Sequence, residues 1–303
     1  MRRLLPLLLV VLLAGCGADE RFVAIDDVPV RVDAVAATRD ASTGTFSVDC
    51  GRNEARHLNA DNMVIAPGTP FGAHHTHEYV GNLSTDHTST DRSLAAASTT
   101  CAGGDLSTYY WPVLRLTDRG GHDGHAPGGG VHGNTGEVLP PAAVRVTFTG
   151  SPVGKVLPMP RFLRMITGDP AALTSGTGTA KWSCTGFEDR HTDRYPVCGA
   201  GRQVLRTYDF PSCWDGRNTD SASHRAHAVF PAANGVCPQG TFPMPKLRVR
   251  VAYDVPPERP FALDSFPEQD RDPRTDHAMS VNVMPDALTA RIAACLNQGQ
   301  TCG

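Results

Sequence analysis

The chain has 303 residues, of which 19% are charged and 40% hydrophobic, and its formal net charge is −3. That is a globular composition, neither disordered nor collagen-like, and it offers no broad basic surface for nucleic acid. Thirty glycines and 24 prolines disfavour long helical bundles and predict a loop-rich, mainly β chain.

The first segment reads as targeting rather than fold. Arg2 and Arg3 precede an apolar run, Leu4–Leu13, which is too short to span a bilayer and has the form of a signal-peptide core. Leu13-Ala14-Gly15-Cys16 resembles the lipobox of bacterial lipoproteins. The resemblance implies cleavage before Cys16, lipidation of its thiol, and a protein anchored to membrane lipid on the extracytoplasmic side. Residues 1–15 are then a leader, 16–45 a lipidated cysteine and tether, and 46–303 a single domain beginning near Phe46.

Within that domain, Val144, Val146 and Phe148 alternate with Arg145 and Thr147. Leu247, Val249, Val251 and Tyr253 alternate with Arg248 and Arg250. A period of two predicts half-buried antiparallel strands. Gly120–Gly136, with His122, His125 and His132, reads as a mobile, solvated insert. Pro285 opens a helix whose Leu288, Ile292, Cys295 and Leu296 form one apolar stripe, suited to packing on the sheet. The expected fold is a disulfide-rich antiparallel β-sandwich or jelly roll with a C-terminal helix.

Eight cysteines remain after Cys16: Cys50, Cys101, Cys184, Cys198, Cys213, Cys237, Cys295 and Cys302. Even parity in an exported chain predicts four disulfides. Sequence-local pairing predicts Cys184–Cys198, Cys213–Cys237 and Cys295–Cys302, which leaves Cys50–Cys101. Each bridge is worth roughly 2–4 kcal/mol if it acts on the unfolded chain.

Two segments concentrate groups that can do chemistry. In Ala73–Asn82, His75 and His77 share a face if the chain is extended there. Paired imidazoles can hold a divalent metal or divide acid and base work. The second segment, Phe210–His227, carries Trp214, Asp215, Asn218, Asp220, His224 and His227. Asp215-Gly216 is also a turn signal. His224 and His227 share a face in a helix and oppose each other in a strand. Bringing the two segments around one cleft would make His75, His77, Asp215, Asp220 and His227 candidate catalytic groups, with Trp111, Trp214, Asn218 and His224 as ligand contacts. Tyr109, Tyr110 and Trp182 are further polar-tipped aromatics that suit either a sugar or a core.

The string Phe210–Gly216, the His224/His227 pair and Cys237-Pro238 resemble the secreted domain-of-unknown-function family numbered nineteen ninety-six, common in fungi and actinobacteria. Its H-x-H motif is similar to His75–Gly81, and other parts of it are similar to Ser107–Val113 and Phe162–Asp169. The resemblance runs from about Cys50 to Leu296 and marks the chain as an actinobacterial lipoprotein-like member. Near the C-terminus His277 and Asn282 stand where the family has a histidine and an asparagine, but its Gly-Asp-Phe acid and its tryptophan are missing. The family implies no activity, and some relatives carry carbohydrate-binding modules.

Two functions fit these residues. One is an enzyme or binding protein acting on extracellular or cell-wall polysaccharide through a His/Asp cleft. The other is a non-catalytic surface lipoprotein whose His/Asp cluster is structural. Carbohydrate, membrane lipid and a divalent metal are the ligands that suit such a chain.

Overall fold

A computed structural model describes residues 19–31, 35–177 and 179–303. The apolar leader and Cys16 lie outside the described residues. The architecture is mainly β, with antiparallel sheets, four disulfides and a C-terminal helix. Among the described residues no helix is long and apolar enough to cross a membrane.

Two sheets dominate. A six-stranded sheet runs Trp182–Cys184, Val204–Asp209, Lys246–Tyr253, Ala143–Thr149, Thr45–Val48, Thr301–Cys302. A five-stranded sheet runs Leu58–Asn59, His77–Gly81, Thr108–Pro112, His277–Val281, Arg164–Gly168. The alternation expected for the long strands is what buries them. Val146, Phe148, Leu247, Val249 and Val251 share a core with Val80, Tyr109 and Trp111 of the second sheet. The second sheet is buried on its other face too, where Tyr79, Tyr110, Met279 and Val281 pack with Met63, Val64 and Leu94. On a strand covered on both faces, a polar side chain left unbonded is costly.

The helix spans Asp286–Asn297 and buries Leu288, Ile292, Cys295 and Leu296, the predicted stripe. Just beyond it, the bridge Cys295–Cys302 fixes Thr301–Cys302 beside Thr45–Phe46 as an edge strand. All four predicted disulfide pairs are present. Such bridges persist in oxidising compartments, which is consistent with an extracytoplasmic protein.

Two stretches differ from expectation. Part of the expected tether is docked. Phe22–Ala24 pairs with Tyr195–Val197, and Ile25 and Val28 are buried beside Cys184, because those side chains gain more from burial than a free tether would leave them. The glycine-rich insert is tied down as well. Fully buried Arg115 holds Asp123 at 2.6 and 2.7 Å and the Gly136 carbonyl at 2.9 Å. Gly128, at φ +83°, lies so close to the preceding segment that a Cβ there would meet the Ala60 Cβ at 2.5 Å and the Thr76 nitrogen at 3.2 Å. The composition of the insert is what allows this close approach.

Candidate metal centre

His77 opens its strand and points to the same face as Tyr79. His277 opens another and points with Met279. The strand Thr108–Pro112 runs between them, with Tyr79 and Met279 both opposite Tyr110. His77 stands opposite Pro112, and stepping the other register by two places His277 there as well. Two strand spacings separate the backbones by about 9–10 Å. Over a compact proline, two imidazoles can lean across that gap. His75 completes the group from the turn before the strand. There His74, at φ +57°, adopts the left-handed conformation and redirects the chain, so that His75 is buried while His74 stays accessible.

The three rings meet at their Nε2 atoms. His75 Nε2 is 3.0 Å from His77 Nε2 and 3.2 Å from His277 Nε2. All three residues are at most 2% exposed, and together they could hold a metal ion. His77 Nδ1 faces the Asp61 carbonyl at 2.9 Å, and His277 Nδ1 faces the Thr275 carbonyl at 2.8 Å. A carbonyl only accepts, so both Nδ1 atoms carry the proton and both Nε2 lone pairs point at His75. Neutral His75 has one proton to offer, so at least one lone pair is left without a donor. A buried acceptor left unpaired costs about 1–3 kcal/mol. His75 Nδ1 is itself buried without a well-formed hydrogen bond; the Ala73 backbone only opposes the lowering of its pKa.

Burial keeps the rings neutral. It lowers His75 far below its ordinary value, with the charges His77 and His277 would carry adding to the effect. Burial likewise lowers His77 to about 3 and His277 to about 4. Neutral imidazoles bonded through Nδ1 to carbonyls are in the state in which histidine binds a metal through Nε2. Nitrogens about 2.0–2.1 Å from a tetrahedral zinc stand about 3.3 Å from one another, so the observed spacing needs to open by only a few tenths of an ångström. The second cluster of potential ligands, Cys50, Cys101 and Asp105, is unsuited because its two sulfurs form a disulfide.

The surroundings hold the centre in place. Asp61 presents its carbonyl to His77 and Tyr79, while its carboxylate accepts from Phe71 N, His87 N and His87 Nδ1. The Phe266 ring, half-buried, meets His75 edge-on at 5.1 Å between centroids and lies 6.0 Å from His74. Asp276, next to His277, takes Arg206 at 2.5 and 3.1 Å and the Tyr208 hydroxyl at 2.9 Å. Asp61 does not stand out as chemistry in the sequence, and His277 is marked there only by the family resemblance, not as a partner of His75 and His77.

Glu78 points to the opposite face from His77. Its Oε1 accepts from Trp111 Nε1 at 2.7 Å and from the Tyr253 hydroxyl. Burial raises its pKa to about 7 from an ordinary 4.5, against the pull of those donors and of Arg206. A raised carboxyl pKa stabilises the folded state most below about 4.5, and that contribution is lost as pH rises through 7. Glu78→Gln removes the ionisation, so its Tm relative to the parent should climb between pH 5 and pH 8. Parallel Tm profiles for the two proteins would refute this.

The second sequence cluster is engaged elsewhere. Asp215 accepts from Arg217 N, Asn218 N and Asn218 Nδ2, as a turn cap does, and Trp214 Nε1 donates to the Asn218 carbonyl. His224 Nδ1 faces Asp220 at 2.9 Å. His227, buried, faces the Arg164 carbonyl at 2.7 Å and Ser221 Oγ at 3.0 Å. Among the described residues none of these side chains bonds to His75 or His77. The segment approaches the centre through Arg225, whose Nη2 donates to the Gly168 carbonyl at 2.8 Å, and Gly168 is the register partner of His277. Trp111, Trp182, Tyr109 and Tyr110 are fully buried, so Trp111 offers a ligand no surface; its indole is part of the Glu78 network.

Comparison with curated proteins finds no match, and comparison with solved structures finds none. A family match spans residues 62–277 and so contains all three histidines. The chain belongs to the family described as Domain of unknown function (DUF1996).

Proposed function

We propose that this is an exported, lipid-anchored metal-binding protein whose His75, His77 and His277 take one first-row divalent ion, zinc or copper(II). The observation that carries the proposal is the convergence of three buried Nε2 atoms with too few protons to satisfy one another. A three-imidazole donor set suits these ions. The ion would supply the missing partner for the lone pairs and tie together strands whose ligands lie two hundred residues apart in sequence. Asp215, Asp220 and His227 take no part in this reading, because their polar atoms are already engaged. Stripped full-length protein titrated with Co²⁺ should develop the visible absorption of tetrahedral cobalt, saturating near about one equivalent. Zinc should displace it, and His77→Ala should abolish it. No visible band, or an identical band in the variant, would count against the centre.

Export and anchoring rest on the leader, the Leu13–Cys16 box and the four disulfides. Cys16→Ala should move the protein from the detergent phase to the aqueous phase, and unchanged partitioning would remove the anchor from the proposal.

A further inference from the structure

The net charge of −3 conceals a basic face. On the side of the six-stranded sheet away from the core, Lys246, Arg248 and Arg250 project from one strand, and Arg145 stands opposite Arg250 on the next. Lys181 joins them from the other side through Asp209, which it meets at 2.9 Å; Arg248 meets the same carboxylate at 2.6 Å and Lys246 at 3.4 Å. Three of these five cations share Asp209, and Glu188 is a further acid acting on Arg250. Hydroxyls continue the face, with Thr147 opposite Arg248 and Thr149 opposite Lys246, then Ser47 and Thr45 on the following strand.

Two polar atoms on this face, Arg250 Nε and Thr207 Oγ1, are buried and without a hydrogen-bond partner among the described residues. They lie on register partners. Thr207, 4% exposed, lines a cavity of about 210 Å³ together with Lys181, Asp209, Gly168 and Phe230. Phe230 is 47% exposed, so part of its ring is open to a ligand. The cavity is smaller than the roughly 300–1,000 Å³ of sites for drug-sized ligands, which limits it to a group the size of one sugar residue. At the other end of the face, Lys246 also lines a cleft of about 630 Å³.

We propose that this face binds an acidic glycan, with the cations meeting its carboxylate, sulfate or phosphate groups and one sugar residue seated beside Thr207. An unpartnered hydroxyl suits a sugar hydroxyl, and an aromatic ring suits the apolar side of a pyranose. Single-stranded nucleic acid is bound by successive bases stacking on several aromatic platforms, whereas Phe230 is the one exposed aromatic lining this cavity. The cavity's Gly168 and Asp276 neighbour His277 in register and in sequence, but Thr207 and the five cations bond to none of the three rings among the described residues, so substitutions there test the glycan face apart from the metal reading.

The test is affinity electrophoresis of the full-length protein in polygalacturonate, in neutral dextran and with single-stranded DNA as competitor. Polygalacturonate should retard the protein at least about tenfold more strongly than dextran, more weakly as salt rises, and DNA should not compete at equal charge. The double substitution Arg145→Ser with Arg250→Gln should lose most of the binding; among the described residues neither the Arg145 side chain nor Arg250 Nε has a hydrogen-bonded partner to strand. Thr207→Val, which removes a hydroxyl that bonds nothing, should weaken binding severalfold. Both variants should keep the parent's metal content. No retardation by polygalacturonate, equal retardation by dextran, competition by DNA, or unchanged affinity in either variant would overturn the proposal.

Discussion

Asp264→Ala is expected to lower stability by about 3–5 kcal/mol, read as a fall in Tm of roughly 6–15 °C. Arg115 and Asp264 are both fully buried, bonded at 2.6 and 2.9 Å. Removing Asp264 leaves the fully buried Arg115 paired only with the partly exposed Asp123 among the described residues, and an under-compensated buried charge costs far more than an exposed pair contributes. The same carboxylate accepts from Thr76 N at 3.3 Å, one residue from both His75 and His77, and Asp264 lies two residues before Phe266. The substitution therefore strikes three things at once: the anchor of the glycine-rich insert, the entry to the histidine strand, and the ring packed on His75. Denaturant unfolding is the direct check. A loss below about 1 kcal/mol would mean that Asp123 alone satisfies Arg115.

His277→Ala is the second large effect, expected to weaken metal binding by at least about 100-fold, since loss of even an outer partner of a ligand typically costs 10–100-fold. The readout that separates a metal ligand from a packed core histidine is sensitivity to a chelator. A ligand that binds only the folded state raises Tm, so a chelator should lower the Tm of the parent and leave the Tm of His277→Ala unchanged. If the cluster were only structural, the chelator would leave both unchanged while the substitution still destabilised the fold.

The parts of this architecture legible in the sequence are those whose cause is local. Val144–Phe148 and Leu247–Tyr253 show their buried face because a strand repeats every two residues. Cys184–Cys198, Cys213–Cys237 and Cys295–Cys302 close short loops, and Cys50–Cys101 follows by elimination. The histidine centre was half legible. His75 and His77 stand out together and the family resemblance marks His277, but that the three meet depends on strand order and register, which no local pattern records. The segment Phe210–His227 attracts attention by composition, yet its carboxylates and imidazoles satisfy their own turns and the Arg164 carbonyl. Trp111 and Glu78 sit on adjacent strands in direct register, so that what reads as a sugar-binding tryptophan is the donor to a buried carboxyl. The insert misleads in the opposite direction: glycines that suggest freedom serve close packing, because the buried Arg115 needs Asp123.

Metal stoichiometry tests the central claim most directly. Full-length protein purified without chelator or metal-affinity resin, then measured by plasma mass spectrometry, should carry about one zinc or copper per chain, and His277→Ala should carry almost none. Substoichiometric metal in the parent after equilibration with zinc and with copper, or an equal metal content in parent and variant, would contradict the account.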